Sequence, residues 1–308
     1  MHLLWRQART NPVARWWVLL TLVSSANVAL WFVLYREFRD GRVTADGNAS
    51  SLGPMLLLCG AYVFGCAFRS FLPRADVQRI CLVDSWLSSV FIGRSVATVA
   101  EICFVAQWAI VLGQLGAVTR ADTTLNVAWV IVPLILIAEI WSWYAVATTS
   151  YLGNAIENSI WAVAFLLVGI ALGRLLPEFN GLVRWTLAAA IGGIIFYLAF
   201  LVVIDVPMYF SRWQAEQVIG GRRLLGVVEG LRDASTRWIV THDIAHWKDE
   251  IAWMSLYFSA AVWASLALCA LSSLDGQLPR YRTEAAAMQS VSPRIDVAHA
   301  MIGRVPLN

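Results

Sequence analysis

Residues 86–116 read WLSSVFIGRSVATVAEICFVAQWAIVLGQLG. At about 1.5 Å per helical residue the run is long enough to cross a hydrocarbon core of about 30 Å. Two charges interrupt it, Arg94 and Glu101. A charge at bilayer depth costs about 2.5–3.5 kcal/mol on insertion scales, so it is rare there without a partner or a role.

Six further runs have the same character. Together the seven cover about 14–35, 53–72, 87–113, 126–149, 155–176, 182–204 and 251–273. Of the 308 residues 59% are hydrophobic and 14% charged, with a mean hydropathy of +0.65. A soluble domain carries about 25% charged residues. The expected fold is all-α: a polytopic membrane bundle of seven transmembrane helices, forming one integral membrane domain over residues 1–275. Residues 276–308 are polar, carry Pro279 and Pro293, and read as a mobile tail.

Before the last run, Leu224, Val227, Val228, Leu231, Ala234 and Trp238 recur at helical spacing among Arg222, Arg223, Glu229, Arg232 and Asp233. This spacing predicts an amphipathic interfacial helix. No Pro or Gly follows between Leu231 and Asp275, so the helix is expected to run on into the seventh span. Arg6, Arg9 and Arg15 precede the first run, which continues to Tyr35. That is too long for a signal-peptide core of about 7–15 residues, so a retained first helix is expected. Lys and Arg are slightly more numerous on the N-terminal side, mainly through residues 205–250. The positive-inside rule then gives an integral plasma (bacterial inner) membrane protein with a cytoplasmic N-terminus.

The five cysteines include no C-x-x-C pair, and all but Cys81 lie in spans, which reads as packing rather than a disulfide framework. Basic residues are not interleaved with aromatics as a nucleic-acid groove requires. The expected partners are membrane lipids and a small lipophilic substrate or ion, with no nucleic acid. Gly169 and Gly173, and the small residues Ala188, Ala189, Gly192 and Gly193, read as close helix–helix approaches.

Three constellations carry chemistry. Glu101 lies 19 residues before Arg120 and Glu139 lies 19 after it. In an antiparallel hairpin turning near Arg120 the two carboxylates share one depth near the bilayer midplane. Facing inward they cannot both ionise cheaply, and they would hold a proton or a cation between them. Glu101 and Glu139 are therefore the candidate catalytic or proton-handling residues. The alternative is separate hydrogen bonding of each to neighbours such as Trp143 or Tyr144.

Arg94 and Glu157 are the candidate substrate-binding residues. Arg94, about eight residues into its span, is placed to snorkel to the interface. Its pairing with Glu101 is disfavoured by a separation of about 10 Å along the axis. Asn154-Ala155-Ile156-Glu157 also reads as a capping box, and Glu157 is a candidate partner for Arg94.

Residues 241–250 read THDIAHWKDE. On a helix His242, His246 and Glu250 share one face, which is acceptable geometry for a divalent transition metal. The H-x-x-x-H of His242 and His246 beside the last of seven spans resembles the last-helix zinc ligands of the alkaline ceramidase-like membrane hydrolases. The resemblance rests on those two residues, since the first six spans hold no histidine. Lys248, the sole lysine, lies at the edge of the seventh span rather than within it, away from where a retinal-binding lysine would sit. G-x-S-x-G, G-x-x-x-x-G-K-[ST] and H-E-x-x-H do not occur.

Three function classes fit these residues. One is a structural, sensor or assembly subunit of a membrane complex. Another is a membrane-embedded enzyme acting on a lipophilic substrate through a cytoplasm-facing polar cavity. The last is a proton- or cation-coupled transporter built on the midplane carboxylate pair.

Overall fold

The computed structural model describes residues 11–40, 52–218, 223–273, 278–279 and 281–283. Seven long helices are apolar enough to cross a membrane, and the chain is an all-α helical bundle. They are α1 (Pro12–Arg39), α2 (Leu52–Phe71), α3 (Val90–Thr119), α4 (Asp122–Thr148), α5 (Tyr151–Leu175), α6 (Gly181–Val218) and, after the short α7 (Val227–Thr236), α8 (Ile244–Ser272).

Local chemistry sets the boundaries. The Asn11 side chain accepts from the amides of Val13 (2.8 Å) and Ala14 (3.2 Å), and Pro12 occupies the first turn, where its missing N–H costs nothing. Arg120 (φ 56°) ends α3 and Thr149 (φ 60°) ends α4, both in the left-handed region. The resulting turns are short, so α3, α4 and α5 pack as successive antiparallel neighbours. α8 returns to pack against α1, α2 and α3, which closes the bundle.

The interior is aromatic. Tyr62 stacks on Phe104 at 4.6 Å, and Phe104 and Trp108 meet Phe165 of α5. The outside is as apolar as the inside: Leu57, Trp129, Trp185 and Val203 are each more than two-thirds exposed. Such helices, hydrophobic all round, suit lipid.

The close backbone approaches differ from the sequence expectation. A methyl on Gly65 would meet the Ala100 side chain, and one on Gly153 would meet Ala145. Gly173, Gly192 and Gly193 instead face open space, and of the four expected glycines Gly169 alone approaches a neighbour, Ile194.

At the face where α1 begins, a small sheet covers the bundle. β1 (Arg74–Ala75) pairs antiparallel with β2 (Ile80–Cys81), and β2 pairs parallel with β3 (Ile239–Val240). Arg79, at φ 57°, closes the first turn. Its guanidinium donates to the Val146 carbonyl (2.7 Å), the Asp76 carbonyl (2.6 Å) and the Asp233 carboxylate (2.9 Å). Asp233 belongs to α7, which thereby docks over the end of α4, with Gly230 against the Ala147 carbonyl.

This corrects the expected continuous helix into the seventh span. α7 ends at Thr236, the β-branched pair Ile239-Val240 joins the sheet, and α8 starts afresh at the N-cap Asp243. Of the C-terminal tail, the described residues dock on the opposite face. The Asn180 amide donates to the Tyr281 carbonyl at 2.7 Å, and Arg282 donates to the Val118 carbonyl at 3.2 Å. The rest of the tail lies outside the described residues.

Candidate functional site

Inside the bundle, one guanidinium meets three carboxylates. Arg94 Nη2 lies 2.6 Å from Glu101 Oε2 and 2.9 Å from Glu139 Oε2, and Nη1 lies 3.7 Å from Glu157 Oε1. All four side chains are buried. α3 supplies Arg94 and Glu101, α4 supplies Glu139 and α5 supplies Glu157.

The helices dictate this meeting. Seven residues are nearly two full turns, so Arg94 and Glu101 share a face of α3. Helical side chains lean toward the N-terminus, which inclines Glu101 back toward Arg94. The long arginine arm spans the rest of the gap. The expected separation of Arg94 from Glu101 is therefore overturned, as is its snorkelling: the guanidinium turns into the bundle. The α3–α4 hairpin brings Glu101 and Glu139 together as the residue count requires. Glu157 is no N-terminal cap, because α5 begins six residues earlier, at Tyr151. Asn154 lies within that helix and donates to Glu157 at 3.3 Å.

Neutral donors complete the shell. Tyr257 OH donates to Glu101 Oε1 at 2.8 Å. Thr98 Oγ1 donates to Glu139 Oε2 at 2.5 Å and accepts from Trp143 Nε1 at 3.0 Å. Trp143 thus reaches Glu139 through a hydroxyl, while Tyr144 is partly exposed on the outside. Tyr257 opens a π-helical turn, Tyr257–Ala261, within α8. A second π turn, Leu201–Asp205 in α6, ends on Asp205, which accepts from Asn158 at 2.5 Å. Such turns re-aim side chains and recur at functional sites. Sequence reasoning missed Tyr257, Thr98 and Asn158, because single hydroxyls and amides in apolar spans carry no spacing signal.

The charges do not balance. Three carboxylates face one guanidinium, and no second Lys or Arg ion-pairs with any of the three among the described residues. An oxygen from each of Glu101, Glu139 and Glu157 falls within a cluster whose atoms all lie within 4.8 Å of one another. An all-oxygen set of this kind suits a proton or a hard cation such as Mg²⁺ or Mn²⁺ rather than zinc. Arg94 already stands between Glu101 and Glu139, so a metal ion there would have to displace it.

The histidine segment is built differently from its expectation. His242 precedes the N-cap Asp243, so it shares no helical face with His246. Its carbonyl accepts from Asn11 Nδ2 at 3.0 Å. His246 is exposed, whereas Glu250 is buried and accepts from Gln78 Nε2 (2.9 Å) and Trp253 Nε1 (2.6 Å). Arg212 lies 2.7 Å from Asp249 and 3.8 Å from Glu250. The segment ties α6 to α8 at the face where α1 begins. The three residues expected to ligate a metal are not brought together as a ligand set.

Comparison of the chain with protein families, with curated proteins and with solved structures gave no match.

Proposed function

We propose that this membrane protein takes up and releases protons at the Arg94–Glu101–Glu139–Glu157 cluster and uses them to drive a coupled carrier cycle. The observation that carries the reading is the charge imbalance: three buried carboxylates around one guanidinium at span depth. Ionised together they would leave a net double negative charge in a low-dielectric interior, so a proton or cation must accompany them. A buried proton site on facing helices is the usual element of coupled transport.

Two other readings gain less support. A purely structural lock needs one carboxylate for one guanidinium, and two more only add cost. In the enzyme reading Arg94 would hold an anionic head group, but Nη2 is engaged by Glu101 and Glu139 and Nη1 faces Glu157, which leaves only Nε without a partner. An open apolar groove between α4, α5 and α6, lined by Leu134, Ile156, Ile160, Val206 and Phe210, offers a lipophilic ligand no ionisable residue. The excess of Lys and Arg on the side where α1 begins supports a plasma-membrane orientation with that side cytoplasmic.

The test is a pH jump on purified protein in supported membranes, read as a transient displacement current. The parent is expected to give a transient that Glu139→Gln and Glu101→Gln each reduce at least severalfold, with both variants folded. Equal transients in parent and variants would contradict the proposal.

A further inference from the structure

A second guanidinium has the opposite problem. Arg74 follows α2, in strand β1, and is 1% exposed. Its Nη1 donates to the Ser89 carbonyl at 2.7 Å and the Leu87 carbonyl at 3.2 Å. Its guanidinium carbon lies over the Phe68 ring, 5.3 Å from the centroid. Nε and Nη2 have no hydrogen-bond partner. These two nitrogens form one edge of the guanidinium fork, the edge that grips a carboxylate or phosphate side-on. No carboxylate pairs with Arg74 among the described residues. The nearby Asp76 lies 3.6 Å from Arg69 instead. Burial, with Arg69 alongside, pulls the Arg74 guanidinium below its ordinary value, and the Asp76 carboxylate offsets this only in part.

Arg74 lies against the N-terminus of α3. A methyl on Gly93, in the first turn, would collide with the guanidinium. The N-cap Ser89 makes no side-chain capping bond, so the first amides of a 30-residue helix have no side-chain cap. The hydroxyls of Ser88 and Ser89 are fully buried, and both lack partners. Four buried polar atoms without partners, Arg74 Nε and Nη2 and the two serine Oγ atoms, thus belong to residues at a helix end that itself favours an anion. The short turn Trp86–Ser88 leads into α3, with Trp86 and Leu87 exposed as interfacial residues would be.

We propose that Arg74, Ser88, Ser89 and the first turn of α3 form a binding site for a phosphate-type anion, supplied as a phospholipid headgroup or as free phosphate. The phosphoryl oxygens take the Nε/Nη2 edge of Arg74, both serine hydroxyls and the amides at the start of α3. This site does not depend on protonation of the Arg94 cluster.

The test uses the full chain, delipidated in detergent. Inorganic phosphate is titrated while melting temperature and heat of binding are followed. In parallel, vesicles of phosphatidylglycerol or of phosphatidylcholine are offered and retained lipid is counted by native mass spectrometry. A saturable rise in melting temperature with phosphate identifies the free anion. One retained phosphatidylglycerol per chain, not displaced by phosphate, identifies the headgroup. In either case Arg74→Gln abolishes binding. The double variant Ser88→Ala/Ser89→Ala weakens it about tenfold or more while leaving the ligand-free melting temperature unchanged, since neither hydroxyl makes a bond without ligand. No response to phosphate or phosphatidylglycerol would overturn the proposal. So would parent-like affinity in the folded serine double variant.

Discussion

Arg94 and Arg74 approach the same stretch of α3, yet their surroundings are opposites. Arg94 is met by three carboxylates. Arg74 packs against Gly93, the residue next to Arg94, and meets carbonyls, an aromatic ring and unpartnered hydroxyls. One site has surplus negative charge and the other surplus positive. A buried ion is tolerated only where something neutralises it. Within the described residues neither site is neutral, and the contrast teaches what each needs from outside: a proton or cation at the first, an anion at the second.

The largest expected effect breaks the comparison at Arg94. Arg94→Met leaves three carboxylates with no ion-pair partner among the described residues and is expected to cost about 3–5 kcal/mol, seen as lost monodisperse protein or a sharply lower melting temperature. Arg74→Met removes a cation with no acid partner, so its cost should be smaller by about 2 kcal/mol or more in the absence of ligand. Equal losses for the two would erase the distinction. Gly93→Ala pushes a methyl into the Arg74 guanidinium and is expected to cost about 1–3 kcal/mol in the same melting assay. Glu139→Gln keeps an acceptor for Thr98 and lowers the charge surplus, so its stability should stay within about 1 kcal/mol of the parent or rise, with the pH-jump transient lost. The smallest effect belongs to His246→Ala. An exposed side chain outside any ligand set should shift stability by no more than about 0.5 kcal/mol, and metal analysis should find the same content in parent and variant.

Much of this was legible in residue order. Run length and composition gave seven spans, and the count of 19 residues either side of Arg120 brought Glu101 and Glu139 to one depth. Reading axial rise alone hid the Arg94–Glu101 contact, because side-chain length and lean operate along the axis as well as across it. Glu157 was visible as a partner for Arg94, but its capping pattern was a coincidence of residue types inside a helix that starts earlier. The segment after α7 misled through an absence. Lacking Pro and Gly, it read as continuous helix, but pairing of Ile239-Val240 with β2 turned the chain and moved His242 off the helix. Tertiary pairing of that kind leaves no local mark. Arg74, two residues past the second apolar run, carries no spacing signal of its own. Its burial follows from the way the β1–β2 turn folds it onto Gly93.

The central claim, that the carboxylate cluster holds an exchangeable proton, is tested most directly by infrared spectroscopy of the protein in bilayers as pH is varied. A carbonyl-stretch band from a buried protonated carboxyl should be present at neutral pH and lose intensity as pH rises. It should weaken or vanish in Glu139→Gln and Glu101→Gln and persist in Glu250→Gln. A parent spectrum with no protonated-carboxyl band at any pH where the protein is folded, or a band unchanged in both cluster variants, would contradict it.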